Sequence, residues 1–206
     1  NLALQQSLGV PATWVAPSDI AELNPAVLLD DVIGGTFCPR DGWADTSGST
    51  MGFAQAARRA GVRIVEDAPV TGIVVDDGRV AGVEVDGQRV SASLVICCAG
   101  PQTNAISRLA GLDLPVHPYR RMSFVTEAFD AIPASVPMTI EFARSLYFHP
   151  ESSGFLFGMT NVDEPSSSVK TVDDDWMYAT IEALIERAPA FEQATVRRGW
   201  AGFYEV

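Results

Sequence analysis

The sequence predicts an α+β chain, a mixed-sheet domain joined to part of an α/β domain that carries an inserted antiparallel β-meander. Three observations lead there. Between Val70 and Val90, β-branched runs are separated by the turn pairs Asp77-Gly78 and Asp86-Gly87, the signature of successive hairpins. Leu94-Val95-Ile96-Cys97-Cys98 is apolar at every position, which suits a strand covered on both faces, as in a parallel sheet. After Pro115, four strand-like segments follow at Met122 to Thr126, Met138 to Phe142, Leu146 to His149 and Phe155 to Met159, ahead of one clear helix near Asp173 to Arg187.

Taken in order, the elements fall into three blocks, 1–43, 44–114 and 115–206. The first holds a short helix over Pro17 to Leu23, which Ser18 can cap, then a Gly34-Gly35 break and a strand-like Thr36-Phe37-Cys38. In the second, Ser47 or Ser49 can cap a helix through Met51, Phe53, Ala54, Ala57 and Ala60, closed by Gly61. A short strand at Val62 to Val65 then leads to the meander and the apolar strand, and a helix from Gln102 to Leu109 follows the turn at Ala99-Gly100-Pro101. In the third block, Trp176, Ile181, Leu184 and Ile185 give the long helix its apolar face, and the polar run Asp163 to Ser168 reads as a loop. Arg198 to Val206 has strand character and stops without a turn or cap, so the chain is expected to be a piece of a longer one.

Composition excludes several function classes. With 206 residues and 47% hydrophobic content the chain can bury a real core, and no apolar run is long enough to span a bilayer. The net charge is −12 and the basic residues occur as scattered pairs, which argues against nucleic acid and anionic membrane as partners. Three cysteines set no disulfide framework; Cys38, Cys97 and Cys98 read as small core residues, and a cytoplasmic location is the default expectation. His117 and His149 stand outside any ligand cluster, so no metal site is expected. At Ala99 and Gly100 two readings stay open: close approach of a ligand's phosphate or sugar to the backbone, or a plain strand-to-helix turn.

The order of these segments resembles the FAD-dependent oxidoreductases of the D-amino-acid oxidase, glycine oxidase and sarcosine oxidase superfamily. The stretches that carry the resemblance are GGTFCPRDGWAD at 34–45, AARRAGVRIVEDAPVTGI at 56–73, GRVAGVEVDG at 78–87, VICCAGP at 95–101, LPVHPYRRMSFVTE at 114–127 and WAGFYEV at 200–206. The resemblance implies that block 44–114 is part of an FAD-binding domain, that block 1–43 begins a substrate domain, and that block 115–206 completes it and starts a return strand. It also implies that Val70 touches the adenine through its backbone and that Ala99, Gly100 and Pro101 line the pyrophosphate and ribose side of the cofactor. The GxGxxG loop that binds the pyrophosphate in such proteins is absent from this sequence, as is a C-terminal flavin-contacting segment, so FAD is expected in the full-length protein and not in this chain alone.

The activity implied is oxidation of the carbon–nitrogen bond of an amino acid or N-methylated amine by hydride transfer to flavin. A substrate carboxylate wants a guanidinium and a phenol or imidazole donor, which makes Arg121, Tyr147 and His149 the candidate substrate-binding residues; no catalytic residue is singled out. Strand alternation sets Tyr147 and His149 on one face against Leu146 and Phe148, and puts only one of Arg120 and Arg121 on that face. Each also has an ordinary reading, an ion pair for the arginine and satisfied strand-end positions for Tyr147 and His149. Trp43 and Trp200 read as packing residues. A flavin-dependent 2-hydroxy-acid dehydrogenase and a non-catalytic module of a multisubunit oxidase remain as alternatives, with a homo- or hetero-oligomer open in each.

Overall fold

The computed structural model describes residues 1–206 and divides into two compact units. One comprises Asn1–Trp43, Arg121–Asp163 and Lys170–Gly202; the other comprises Ala44–Arg120, Glu164–Val169 and Phe203–Val206. The secondary structure is mixed α/β and its sheets are antiparallel.

The chain opens with α1 (Leu2–Ser7), β1 (Thr13–Val15), α2 (Pro17–Leu23) and β2 (Gly35–Phe37), with β1 and β2 pairing antiparallel. The cap of α2 is not Ser18. Pro17 occupies the first helical position, where its missing N–H costs nothing, and Asp19 reaches back to accept from the Ala16 amide at 2.8 Å. The cap of α3 (Thr46–Arg59) is likewise Asp45, whose carboxylate accepts from the Gly48 amide, and not Ser47 or Ser49. Gly61, at φ +84°, follows the helix end as expected.

The meander forms where the turn chemistry places it. Its strands are β3 (Val70–Asp76), β4 (Arg79–Val85) and β5 (Gln88–Ser91), paired in that order. Asp77 and Gly78 have φ of +48° and +75°, Asp86 and Gly87 of +50° and +71°, the pair of positive φ values that a two-residue hairpin turn matching strand twist requires. The flanking expectations fail. Neither Val62 to Val65 nor Leu94 to Cys98 is a strand, and Leu94 and Ile96 are 73% and 77% exposed. An apolar run becomes a strand only when a neighbour pairs with its backbone, and these segments have no ladder partner in the chain. The cysteines follow suit: Cys97 and Cys98 are exposed and Cys38 is half-buried, so none is a core residue.

A 3₁₀ turn (Gly100–Gln102) leads into α4 (Thr103–Arg108), and β6 (Pro118–Thr126) then enters a five-stranded sheet with β7 (Thr139–Glu141), β8 (Leu146–Glu151), β9 (Gly154–Met159) and, after α5 (Asp174–Arg187), β10 (Val196–Glu205). Its order is β10-β6-β9-β8-β7. The β6–β9, β8–β9 and β7–β8 pairs are antiparallel, and His117 and Val206 exchange both backbone bonds while the Glu127 amide donates to the Thr195 carbonyl, which makes β6 and β10 antiparallel too. The sheet is therefore antiparallel and not mixed. Short connections suffice for antiparallel neighbours, whereas parallel ones need long crossovers, and within this five-stranded sheet only the β9-to-β10 connection carries a long helix, α5.

One face of this sheet makes the core. Register aligns Phe148, Phe157 and Phe124 across β8, β9 and β6, and all three are fully buried with Leu146, Phe155 and Met122. Phe191 packs edge-on against Phe148 and Phe155, each with ring centroids 5.3 Å apart, and Ala183 and Leu184 of α5 close the cluster. Trp176 donates from its indole nitrogen to the Met159 carbonyl at 2.9 Å, which fixes the start of α5 over β9.

Candidate functional site

The sheet face opposite the phenylalanine row carries the polar residues. His149 lies across from Leu156, which lies across from Val125; Tyr147 lies across from Gly158. Alternation along β6 then sets Ser123 and Arg121 on this same face and Met122 and Phe124 on the other. The three residues singled out from sequence, Arg121, Tyr147 and His149, thus share one side of one sheet.

Each is held differently. The Tyr147 hydroxyl lies 2.9 Å from Ser123 Oγ, a hydrogen bond that runs over Gly158. A Cβ at position 158 would stand 2.5 Å from the Tyr147 hydroxyl oxygen and 2.7 Å from Cζ, so the ring occupies the space that glycine leaves. His149 is buried, 7% exposed, and its Nδ1 lies 2.7 Å from the Pro150 carbonyl. A carbonyl only accepts, so Nδ1 is the donor in this bond and Nε2 is the ring nitrogen left outside it. Trp43 stacks on the imidazole at 4.9 Å between centroids. Arg121 is half-buried, with Nη1 3.5 Å from the Asn161 carbonyl. Arg120 points the other way and makes an ion pair with Glu164 in which both side chains are largely buried. The tryptophans are not core residues: Trp43 is 48% exposed and covers His149, and Trp200 is 40% exposed beneath the Arg198 guanidinium, 5.4 Å from its ring centroid.

In the other unit, Val70 and Ala99 meet at one cavity. Its volume is about 310 Å³, and Ile73, Val83, Val95, Cys97 and Ile106 also line it. Gly100 has φ +53° and opens the 3₁₀ turn, with Pro101 inside the turn; neither lines the cavity. Apolar walls beside a glycine turn fit a flat ring and an approaching sugar, which is what the adenosine end of FAD presents. A phosphate-binding loop of the GxGxxG kind is not among these residues.

Sequence reasoning missed Ser123, Gly158 and Glu164. Two of them had a signal: Ser123 shares parity with Arg121, and a glycine inside the apolar Phe155 to Met159 strand marks close approach of another group. Glu164 lay in a loop with nothing to show its partner.

A family model described as FAD dependent oxidoreductase, the DAO family, matches residues 1–206. The chain belongs to this family. Within it, the chain is 30% identical to the mitochondrial sarcosine dehydrogenase of Homo sapiens over 95% of its own length and 23% of that protein. It is 26% identical to sarcosine oxidase subunit beta of Arthrobacter sp, covering 96% of the chain and 50% of the relative. L-proline dehydrogenase from P. horikoshii has the same fold, with a TM-score of 0.91 at 23% identity over 98% of this chain and 55% of that one. This DAO-family chain therefore spans half or less of the curated relatives named here. Oxidoreductase chemistry of the amino-acid and sarcosine oxidase type goes with the family, and FAD is the cofactor its description names.

Proposed function

We propose that this chain provides the substrate-holding sheet and part of the FAD site of an enzyme that oxidises the carbon–nitrogen bond of an amino acid or N-methylated amine. The observation that carries the reading is the β6–β9–β8 register, which gathers Arg121, Tyr147 and His149 on the sheet face away from the phenylalanine core. Two relatives are named for sarcosine, an N-methylated amino acid, which supports this substrate class. When bound, FAD supplies the two-electron oxidant for that bond.

In this reading the Arg121 guanidinium binds the substrate carboxylate, with the Tyr147 hydroxyl as a second polar contact. His149 offers Nε2 as an acceptor near the amine, its Nδ1 proton being engaged by Pro150, and the Trp43 ring shields it from water. Val70, Ala99, Gly100 and Pro101 hold the adenosine and pyrophosphate portion of FAD, Val70 and Ala99 through the cavity they line. One relative is a named subunit, so assembly with another chain belongs to this reading, and a cytoplasmic location rests on the sequence alone. No helix is long and apolar enough to cross a membrane.

The test uses the flavin-loaded complete protein. Arg121→Ala loses a charge-assisted hydrogen bond worth about 1.5–3 kcal/mol, so kcat/KM for a carboxylated amine should fall roughly tenfold to a hundredfold, with a smaller fall for Tyr147→Phe. Unchanged kinetics in both would return these residues to structural roles. Release of ammonia or methylamine separates this chemistry from 2-hydroxy-acid oxidation, which yields a keto acid without loss of nitrogen.

A further inference from the structure

Resting on that reading of the sheet face, we propose that Ser123 is a positioning residue that fixes the Tyr147 hydroxyl for the substrate carboxylate, across a gap that Gly158 keeps open. Three observations meet here. Ser123 Oγ lies 2.9 Å from the phenol oxygen although the two residues stand on strands that are not neighbours, with β9 between them. The bond is possible because β9 presents glycine at that point: any larger residue at 158 would place its Cβ 2.5 Å from the hydroxyl and 2.8 Å from the Met122 carbonyl. Arg121 stands two residues before Ser123 on the same side of β6, so the serine ties the phenol to the strand that bears the guanidinium.

The chemistry follows from hydroxyl bonding capacity. A phenol has one proton and two lone pairs, and a bond to Ser123 uses one of these sites and sets the torsion of the hydroxyl. Without that bond the hydroxyl torsion loses one of its constraints, and ordering it on ligand arrival costs more. A fixed hydroxyl beside Arg121 favours a planar carboxylate, which can meet both groups at once, over an uncharged amine, which gains from neither. Ser123 therefore contributes to selectivity for carboxylated substrates without touching them.

A double-mutant cycle separates this role from general packing. In the flavin-loaded complete protein, Ser123→Ala should raise KM for N-methylglycine, and the dissociation constant of acetate measured by calorimetry, by about three- to tenfold, as expected for one neutral hydrogen bond, with kcat within about twofold. Ser123→Thr, which keeps the hydroxyl, should restore both. In a Tyr147→Phe background, Ser123→Ala should add less than about twofold, because the serine acts through the phenol. If Ser123→Ala adds the same factor with or without the Tyr147 hydroxyl, or has no effect where Tyr147→Phe does, the positioning role is overturned and the substrate-site reading stands. If Tyr147→Phe itself leaves acetate binding and KM unchanged while Arg121→Ala weakens them, the positioning role alone is overturned; if neither substitution changes them, the substrate-site reading falls as well.

Discussion

Gly82 sits in the middle of β4 with φ +152°, and a Cβ there would stand 2.3 Å from the Val90 carbonyl oxygen on β5. Two effects add at this one position: a backbone conformation that side-chain-bearing residues rarely adopt, and a backbone atom that cannot swing away. Gly82→Ala should cost about 2 kcal/mol, on the scale of such strain, and appear as a lowered unfolding midpoint in urea. An unchanged midpoint would mean that β4 and β5 part there without penalty. Gly158 has the same kind of dependence on space but a different consequence, since the occupant of its gap is the Tyr147 ring and not backbone alone.

At the level of elements, the end of α5 is joined to β7 and to the segment after α2 by one charged cluster. Arg187 makes a bidentate pair with Asp31 at 2.8 and 2.9 Å, donates from Nε to Glu141 at 2.8 Å and reaches the Leu28 carbonyl, while Arg144 takes the other side of Glu141. The hydrogen bond from Arg187 draws the Asp31 carboxyl down to about 2, and that from Arg144 holds Glu141 below the usual carboxylate range. A depressed folded-state pKa means that the contribution is complete above the ordinary carboxyl value near 3.8 and is lost as pH falls toward about 2. The unfolding temperature should therefore drop through that acid window, and Asp31→Asn should remove part of the slope. If the Asn variant follows the same acid profile as the parent, the Asp31 pair contributes nothing to stability. Arg187→Met should lower the unfolding temperature at neutral pH as well, since it also strips Glu141 and Leu28 of a donor.

For the molecule as a whole, the buried hydrophobic core belongs to one of the two units. The unit built on the five-stranded sheet owns the buried phenylalanine cluster, and in the other Leu94, Ile96, Phe53 and Val62 stand open to solvent. The sequence holds no GxGxxG loop, and the walls of the Val70 and Ala99 cavity are apolar. Backbone amides at a helix N-terminus supply much of the affinity for a pyrophosphate, so the 206-residue chain purified alone should be colourless. Stoichiometric flavin absorbance near the visible maximum of FAD would show that the cavity and the Gly100 turn suffice to hold the cofactor.

Local chemistry was legible in the sequence. Asp-Gly pairs between β-branched runs dictate hairpins because their φ values are set by the residues themselves, and α5 followed from an apolar face with acids at its start, where Asp173 accepts from the Trp176 amide. Alternation likewise put Tyr147 and His149 together before any fold was known. What depended on partners was not legible. Whether Leu94 to Cys98 is a strand turns on a neighbour, and the cap of α3 on which of Asp45, Ser47 and Ser49 meets a free amide. The bond from Ser123 to Tyr147 spans 24 positions and exists because β9 runs between their strands with a glycine at the crossing. Residue type determined by itself the turns, the long helix and the parity of the site residues; pairing across the sheet, a property of distant segments in contact, decided which of those residues touch.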